Sequence, residues 1–365
     1  MAKEEPKVIV ESLSPSVTEF KLNAPKNLNS LDFDMVHLML KEVQRWEQKP
    51  KTAPRVLLIS GVGGKAFCAG GDIKLIYESG TGKACSTIKS KFFHDEYVLD
   101  YSLTRMKPLQ ISVWNGIVMG GGVGVSVHAP IRVATDNTVF AMPETSIGFF
   151  TDVGGSYFLP RVKHNIQHGL YLGLTGHRLK AKELVQWGIA THFVSSSKIE
   201  SLYKDLTTSV KPSSTFKDIA AIVSSHSDAS AGTEPISNEE EINFIFKDDS
   251  ILKVYERIQS SKTEFGEKLR KQVASLSPLS MAIVFEQITR GKAMTLKEVF
   301  EMEYKISQGF VNHTEFFEGV RALLIEKDKN PKWKFKSVPE VPIEELKLFF
   351  DRPDNLNLFL SQFKF

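Results

Sequence analysis

Apolar and polar residues along this chain recur with two different periods, and the period changes where glycine or proline interrupts it. Residues 7 to 22 hold two strand-like runs, VIVES and VTEFKL, joined by the turn-forming SPS. Residues 31 to 46 repeat apolar side chains at helical spacing, with Asn29 or Ser30 as the expected N-cap. The run RVLLIS at residues 55 to 60 is typical of a strand buried on both faces. The chain therefore begins with strands, a helix and a buried strand.

Glycine-rich turns separate the elements that follow. Gly70 and Gly71 precede Asp72, a good N-cap for a short helix, and residues 88 to 106 form a second amphipathic helix. The strand-like LQISVWNG runs into the glycine run of residues 120 to 122, which opens a helix of small residues. Such repeated units of strand, glycine turn and helix predict a layered α/β architecture with right-handed crossovers.

The pattern changes again in the second half of the chain. Residues 131 to 144 are expected to form a strand pair with its turn at Asp136 and Asn137. Residues 1 to 205 are predicted to form the core domain. Residues 206 to 239, rich in Ser, Ala, Pro and Glu, predict a polar and partly mobile connection. Helical patterns then fill residues 240 to 365 almost without interruption, so we expect a helical region that covers the core.

Composition and charge exclude several classes of protein. Apolar residues make up 42% and charged residues 24%, as in a folded domain, and 46 basic against 43 acidic residues leave a net charge of only +3. A nucleic-acid partner is not expected from this balance, although local lysine clusters could bind the phosphates of a nucleotide-like ligand. No apolar run approaches the roughly 20 residues of a membrane span, so no membrane partner is expected.

The cysteines and the N-terminal residues bear on the compartment. Cys68 and Cys85 form neither a disulfide framework nor a zinc-binding pattern, so a reducing compartment and no metal site are expected. The start MAKEEPKVIVES resembles neither a secretory signal nor a typical mitochondrial presequence.

The candidate chemistry lies between Asn115 and Arg161. The glycine run of residues 120 to 122 comes some twenty residues before Glu144 and Asp152, which stand among small and apolar neighbours. Glycines let a backbone approach a ligand closely, and an acid in apolar surroundings has a raised pKa. Both features suit a site that handles an acyl group.

Five motifs at these spacings carry a resemblance to a known family: KAFCAGGDI, NGIVMGGGVGVSVH, FAMPETSIGFFTDVGGSYFLPR, LTGHRLKAKELVQWGIATHFV and EGVRALLIEKDKNPKW. Over nearly the whole chain they resemble the crotonase (enoyl-CoA hydratase/isomerase) superfamily, and within it the 3-hydroxyisobutyryl-CoA hydrolase branch. The resemblance implies an α/β fold, a crotonase-like spiral of ββα units with a helical C-terminal region. It also implies binding of an acyl-CoA and polarisation of its thioester carbonyl.

The resemblance implies roles for individual residues. The backbone N–H groups of Gly71 and Gly121 match the oxyanion hole of the family. Glu144 matches the shared catalytic acid, Asp152 the second acid of the hydrolase branch, and Glu96 an acid that contacts substrate. Glu96, Gly121, Glu144 and Asp152 are thus the expected substrate-binding residues. Whether Glu144 acts as nucleophile or as general base stays open.

The implied reaction is hydrolysis of a short-chain 3-hydroxyacyl-CoA, namely 3-hydroxyisobutyryl-CoA to 3-hydroxyisobutyrate and CoA in valine catabolism. No cofactor is expected, since CoA belongs to the substrate. Whether 3-hydroxypropionyl-CoA is also accepted stays open. A mitochondrial location is implied, with the cytoplasm as the alternative, and a homo-oligomer is possible.

Two alternatives remain. An enoyl-CoA hydratase or isomerase is disfavoured because Gly124 stands where a hydratase has its second glutamate. A structural homologue associated with mitochondrial ribosomes is disfavoured by the retained acids and glycine turns, and by the lack of a long basic extension for rRNA.

The chain departs from the branch pattern at two places. Thr151 replaces the usual proline before the aspartate, which predicts a looser turn at Asp152, and Pro130 in the SVHAP loop is expected to matter little. His128 and His192 are expected to be structural. Cys68 has no histidine near it in sequence and is not expected to be a nucleophile.

Overall fold

The computed structural model describes residues 6–247 and 249–353, which build two β-sheets surrounded by helices. A six-stranded sheet has the order β1-β2-β3-β5-β7-β10, and a four-stranded sheet has the order β4-β6-β8-β9. The strands are β1 Val8–Ser14, β2 Val17–Leu22, β3 Val56–Gly61, β4 Ala66–Cys68, β5 Leu109–Trp114, β6 Ile117–Met119, β7 Ile131–Ala134, β8 Val139–Ala141, β9 Leu179–Lys180 and β10 His192–Phe193. The pairs β1/β2 and β8/β9 are antiparallel, and all other pairs are parallel.

The chain spirals between the two sheets. In each of the pairs β3/β4, β5/β6 and β7/β8, the first strand joins the six-stranded sheet and the second joins the four-stranded sheet. A helical segment follows before the chain returns to the larger sheet. The predicted spiral of ββα units is therefore confirmed.

Helices cover the sheets and fill the C-terminal part of the described chain. The first seven are α1 Phe33–Gln48, α2 Ile73–Gly80, α3 Ile88–Arg105, α4 Gly121–Val127, α5 Gly155–Phe158, α6 Ile166–Thr175 and α7 Glu183–Gln186. The next nine are α8 Ile199–Ser209, α9 Phe216–His226, α10 Glu239–Ile245, α11 Ile251–Ser260, α12 Glu264–Val273, α13 Pro278–Gly291, α14 Leu296–Phe310, α15 Thr314–Val320 and α16 Ile343–Phe350. The predicted helical C-terminal region is confirmed.

The six-stranded sheet is buried on both faces, as the apolar run of β3 predicts. Val56 and Leu58 pack with residues of α8 and α9 in one apolar cluster, and Leu57 and Ile59 face the larger cluster that includes most helices. Alternate residues of a strand point to opposite faces, so an uninterrupted apolar run is needed here.

The C-terminal helices pack against the elements that build the glycine turns. α14 packs against α3 and α5, and α13 packs against α5 and α6. α15 lies against α2 and continues into a π-helical turn, Arg321–Ile325. This layer therefore reaches the region where the candidate residues lie.

Two local predictions are wrong. Asp32, and neither Asn29 nor Ser30, caps α1 by accepting from Met35 N at 3.0 Å. Asn29 is instead buried, and its amide donates to the Val62 and Ala66 carbonyls, each at 2.9 Å. The strands β7 and β8 do not pair with each other, because each joins a different sheet.

The division into three domains stays a prediction. The expected limit at residue 205 lies within α8, and α9 occupies part of the segment 206–239. Residues of both helices share an apolar cluster, including Leu206 and Ile219. The end of the predicted helical region, from residue 354 to residue 365, lies outside the described residues.

Candidate active site

One pocket of about 170 Å³ brings together every candidate residue that the motifs indicate. Its polar lining includes Gly71, Glu96, Gly121, Glu144 and Asp152. The apolar wall consists of Ile73, Phe92, Phe93, Met119, Ile147, Phe149 and Leu324. An apolar pocket with a few converging polar groups is the usual form of a small-molecule site.

The two glycines of the expected oxyanion hole lie side by side. Leu31 N donates to Gly70 O and Asp72 N donates to Leu31 O, each at 2.8 Å, so this bridge makes no use of the Gly71 N–H. Gly121 is the first residue of α4, where an N–H has no acceptor within the helix. A Cβ on Gly121 would lie 3.3 Å from Gly71 N and 2.2 Å from Glu96 Oε1. A side chain at residue 121 would therefore displace the Glu96 carboxyl and crowd the Gly71 N–H.

Glu144 begins a 3-10 turn, Glu144–Ile147, at the end of β8. Its carboxyl reaches the glycine run, since a Cβ on Gly120 would lie 3.3 Å from Glu144 Oε1. Its Oε2 is buried and has no hydrogen-bond partner among the described residues. Burial and the nearby Asp152 raise the pKa of Glu144 well above its usual range. A carboxyl that holds its proton more strongly than usual is suited to acid–base chemistry.

Asp152 lies in the buried loop between the 3-10 turn and α5. Its Oδ2 accepts a hydrogen bond from the Tyr97 hydroxyl at 2.8 Å. Burial raises the pKa of Asp152 to about 7, and the bond from Tyr97 opposes this rise by stabilising the carboxylate. Tyr97 was not predicted as a site residue, because its spacing along α3 is that of an apolar core position.

A further buried acid, Asp100, was also missed. It is fully buried on α3, one turn after Glu96, and neither of its carboxyl oxygens has a hydrogen-bond partner among the described residues. Burial raises its pKa well above the usual range, and the charges of nearby acids, chiefly Glu96, raise it further. The i, i+4 spacing from Glu96 is a signal that could have identified it.

Glu96 also lies almost completely buried, at 2% exposure, and its Oε1 has no partner among the described residues. Burial and the charge of Asp152 raise its pKa well above the usual range. It lies on the pocket wall, and its contact to substrate stays a prediction.

Gly124 is buried, and other groups occupy the space beside it. A Cβ there would lie 2.4 Å from Asp100 Oδ2 and 2.7 Å from Val153 Cβ. Any side chain at residue 124 would therefore require α3 or the Asp152 loop to move. The acid beside residue 124 is Asp100, which belongs to α3, whereas residue 124 itself belongs to α4.

The turn before Asp152 is held more firmly than expected. Thr151 is fully buried, and Gln287 Nε2 donates to the Thr151 carbonyl at 2.6 Å and to its hydroxyl at 3.0 Å. The prediction of a looser turn at Thr151 is therefore wrong, since the amide of α13 restrains this residue.

The residues expected to be structural lie outside the pocket lining. His128 packs beside the Asp152 loop, with its Nε2 3.0 Å from Val153 O, and burial lowers its pKa to about 4. His192 lies next to hydroxyl groups of Thr191 and Ser224. Burial raises the pKa of Cys68 to about 12, which keeps the thiol protonated and unreactive.

Two features are absent from the part of the chain that the structure describes. No helix in that part is long and apolar enough to cross a bilayer. The same residues contain no group of three or more His, Cys, Asp or Glu side chains that could hold a metal ion.

The spiral of two sheets and the pocket of paired glycines and buried acids define a protein of the crotonase fold. The sequence profile of the enoyl-CoA hydratase/isomerase family matches residues 17–350. A carnitinyl-CoA dehydratase structure from Mycobacterium thermoresistibile superposes with a TM-score of 0.84 and 29% identity, covering 96% of this chain and 98% of that one. The chain therefore belongs to the enoyl-CoA hydratase/isomerase family.

Relatives of higher identity carry a different name. A protein of Danio rerio named 3-hydroxyisobutyryl-CoA hydrolase, mitochondrial, is 42% identical over 344 residues, which cover 93% of this chain and 88% of the relative. The protein of the same name from Homo sapiens is 41% identical over 334 residues, covering 90% of this chain and 84% of the relative. The resemblance to the hydrolase branch is thereby confirmed.

Proposed function

We propose that this protein hydrolyses the thioester of 3-hydroxyisobutyryl-CoA to 3-hydroxyisobutyrate and CoA, a step of valine catabolism. The observation that carries the proposal is the single pocket lined by Glu144, Asp152 and the neighbouring glycines Gly71 and Gly121. Relatives that are about 42% identical over most of the chain bear the name of this hydrolase, which supports the same substrate here.

Hydration of an enoyl-CoA is the second candidate, because a solved structure of similar fold is a carnitinyl-CoA dehydratase. Its identity of 29% is lower than the 42% of the hydrolase from Danio rerio. The resemblance places the second glutamate of a hydratase at residue 124, where this chain has a glycine with no room for a side chain. Both observations favour hydrolysis.

The proposed chemistry begins with the thioester carbonyl oxygen bound by the N–H groups of Gly71 and Gly121. Negative charge develops on this oxygen as the carbonyl carbon becomes tetrahedral, and fixed N–H donors stabilise that charge by about 3 kcal/mol each. The C–S bond then breaks, CoA leaves as a thiolate, and the thiolate takes up a proton.

Glu144 acts in one of two ways. As a nucleophile, its carboxylate bonds to the carbonyl carbon, and water hydrolyses the resulting anhydride to release the hydroxy acid and restore the carboxylate. As a general base, it takes a proton from the water that attacks the same carbon. Hydroxylamine trapping followed by peptide mass spectrometry distinguishes the two, since only an anhydride converts Glu144 to a hydroxamate.

Asp152 and Glu96 are proposed to bind the acyl part of the substrate. As a carboxylate held by Tyr97, Asp152 accepts a hydrogen bond from the substrate hydroxyl or from the attacking water. Glu96, whose Oε1 has no partner among the described residues and lies near Gly121, also contacts the acyl group.

The nucleotide part of CoA is assigned to a groove of about 740 Å³ lined by Lys26 and Lys41, and by Lys7, whose Nζ already pairs with Asp32 and Asp34. Asn27 lines the groove and Ala69 lines the pocket. The carbonyl of Leu28, the residue after Asn27, accepts from Ala69 N at 3.0 Å, so the groove lies next to the pocket. Lysine ammonium groups suit phosphates as point charges. Lys26→Ala is expected to raise KM with little change in kcat.

The remaining proposals concern location and assembly. The names of the relatives include the word mitochondrial, which supports a mitochondrial location. Coenzyme A enters as part of the substrate, and the proposed reaction uses no other cofactor. Light scattering measures whether the protein forms a homo-oligomer, as proteins of this fold commonly do.

A thiol-release assay tests the function. Purified protein is expected to release CoA from 3-hydroxyisobutyryl-CoA, and to leave crotonyl-CoA neither hydrolysed nor hydrated. Hydration of crotonyl-CoA would establish the hydratase alternative. A folded protein that turns over neither substrate would contradict the proposal and favour a non-catalytic role.

A further inference from the structure

We propose that Glu303 of α14 and Gln287 of α13 are positioning residues that hold Asp152 in its working orientation. The inference rests on the proposed function in taking Asp152 as an acid of the hydrolysis. Neither residue lines the pocket, and each acts on the backbone beside Asp152.

Glu303 holds the residues that follow Asp152. Its Oε2 accepts from Gly154 N at 2.7 Å, and its Oε1 accepts from Ser156 N at 2.8 Å. The side chain is fully buried, so water does not replace these bonds when they are lost. Both carboxyl oxygens are therefore used to fix one short stretch of backbone.

The backbone that Glu303 holds has an uncommon conformation. Val153 has φ of 53° and Gly154 has φ of 83°, so two successive residues lie in the left-handed region. For a β-branched residue such as valine this region is a genuine outlier, which persists only where the surroundings enforce it. The two bonds from Glu303 provide that restraint directly after Asp152.

Gln287 holds the residue on the other side. Its amide nitrogen donates to the Thr151 carbonyl and hydroxyl, while its Oε1 is buried without a partner among the described residues. The loop is thus fixed by α13 before Asp152 and by α14 after it, and Tyr97 of α3 fixes the side chain itself.

This arrangement gives the C-terminal helices a role in catalysis beyond covering the core. A displacement of about 1 Å in a catalytic group can lower the rate by about 100-fold, and such groups depend on the residues that support them. The atoms that set the position of Asp152 lie 135 and 151 residues further along the chain, at Gln287 and Glu303.

A double-mutant cycle tests whether Glu303 acts through Asp152. Glu303→Gln keeps the shape of the side chain. Its amide nitrogen is a donor and cannot accept from one of the two backbone N–H groups that Glu303 binds. We expect kcat on 3-hydroxyisobutyryl-CoA to fall by about 10- to 100-fold with KM within about threefold. In an Asp152→Asn background, measured with enzyme in excess, the same change is expected to alter the rate by less than about twofold. An equal loss in both backgrounds would show a merely structural role and overturn the proposal.

Gln287→Leu is the second variant, and it removes only the bonds to Thr151 and an oxygen without a partner. It is expected to lower kcat in the same direction, and normal kcat in this variant overturns the part played by Gln287. Glu19→Gln is the matched control, because Glu19 is a buried glutamate that accepts from Ser60 in the six-stranded sheet and lines no part of the pocket. Its kcat is expected to equal that of the wild type.

A crystal structure of Glu303→Gln gives a readout that does not need the substrate. We expect the carboxyl of Asp152 to move out of hydrogen-bond distance of the Tyr97 hydroxyl. If the wild-type protein shows no turnover, the proposed function is wrong, but the positioning role is still tested by the crystal structure. An unmoved Asp152 together with normal kcat would overturn the inference.

Discussion

The Tyr97 hydroxyl donates a hydrogen bond to Asp152 Oδ2 over 2.8 Å, and this bond joins α3 to the loop that opens α5. Both groups are buried, so the bond is made in a medium of low dielectric where it is strong and costly to lose. It stabilises the ionised form of Asp152 against the effect of burial. The pH at which Asp152 becomes a carboxylate therefore depends on Tyr97.

Tyr97→Phe is expected to move the pH profile upward. Loss of the donor raises the pKa of Asp152 above about 7, so the rising limb of kcat/KM should shift by about 0.5 to 1 pH unit to higher pH. The limb reports an apparent value for the coupled acids of the pocket. Steady-state kinetics from pH 5.5 to 9 measure the shift. Tyr171→Phe, a change at a buried tyrosine outside the pocket lining, is the control, and equal profiles for all three proteins would contradict the prediction.

Glu144→Gln is expected to lower kcat by about 1,000-fold or more, because the amide neither attacks the thioester nor accepts a proton from water. The pocket keeps its shape, so the Kd for CoA should stay within about threefold. Stopped-flow turnover and calorimetric titration with CoA measure the two quantities. Turnover at the wild-type rate would remove Glu144 from the mechanism.

Gly121→Ala is expected to close the space between the glycine pair and Glu96. The new Cβ would lie 2.2 Å from Glu96 Oε1 and 3.3 Å from Gly71 N, so the carboxyl or α4 must shift. Loss of one aligned oxyanion donor lowers kcat by about 100- to 1,000-fold. Gly82→Ala is the control: a Cβ there meets no atom within 4 Å, although its φ of 77° makes some loss of stability expected. Equal kcat for wild type and Gly121→Ala would count against the oxyanion hole.

Much of the fold follows from local patterns in the sequence. The cap at Asp72 and the buried run of β3 depend only on neighbouring residues, and both were predicted correctly. Pairing of β7 and β8 was mispredicted because strands of four and three residues carry too little pattern to show that each belongs to a different sheet. Asn29 was misread as a cap because its actual partners, which include Val62 and Ala66, are distant in sequence.

The candidate site divides in the same way. Glu144 and Asp152 lie in motifs that predict them as site residues, whereas Tyr97 has the spacing of a core residue. Glu303 and Gln287 lie on helices whose periodicity is ordinary, and only tertiary packing brings them to the Asp152 loop. Sequence patterns therefore predict the groups that line the pocket better than the groups that hold these in place.

The buried acids are expected to make the protein less stable as pH rises. The folded-state pKa values of Glu96, Asp100, Glu144 and Asp152 are all raised, so between the unfolded values near 4 and the folded values the native state binds more protons than the unfolded chain. The free energy of unfolding then falls as pH increases through this window and levels off above the folded pKa values. Tm should accordingly be higher at pH 5 than at pH 8.

Asp100→Asn separates the contribution of one of these acids. The amide has the same shape and cannot ionise. The fall in Tm between pH 5 and pH 8 should therefore be smaller in Asp100→Asn than in the wild type. A difference of about 1 kcal/mol corresponds to a change in Tm of about 1.3 °C for a chain of 365 residues. Glu200→Gln, at an exposed residue of α8, should keep the wild-type dependence. Differential scanning calorimetry at pH 5, 6.5 and 8 gives the values, and an unchanged slope in Asp100→Asn would mean that Asp100 titrates alike in the folded and unfolded chain.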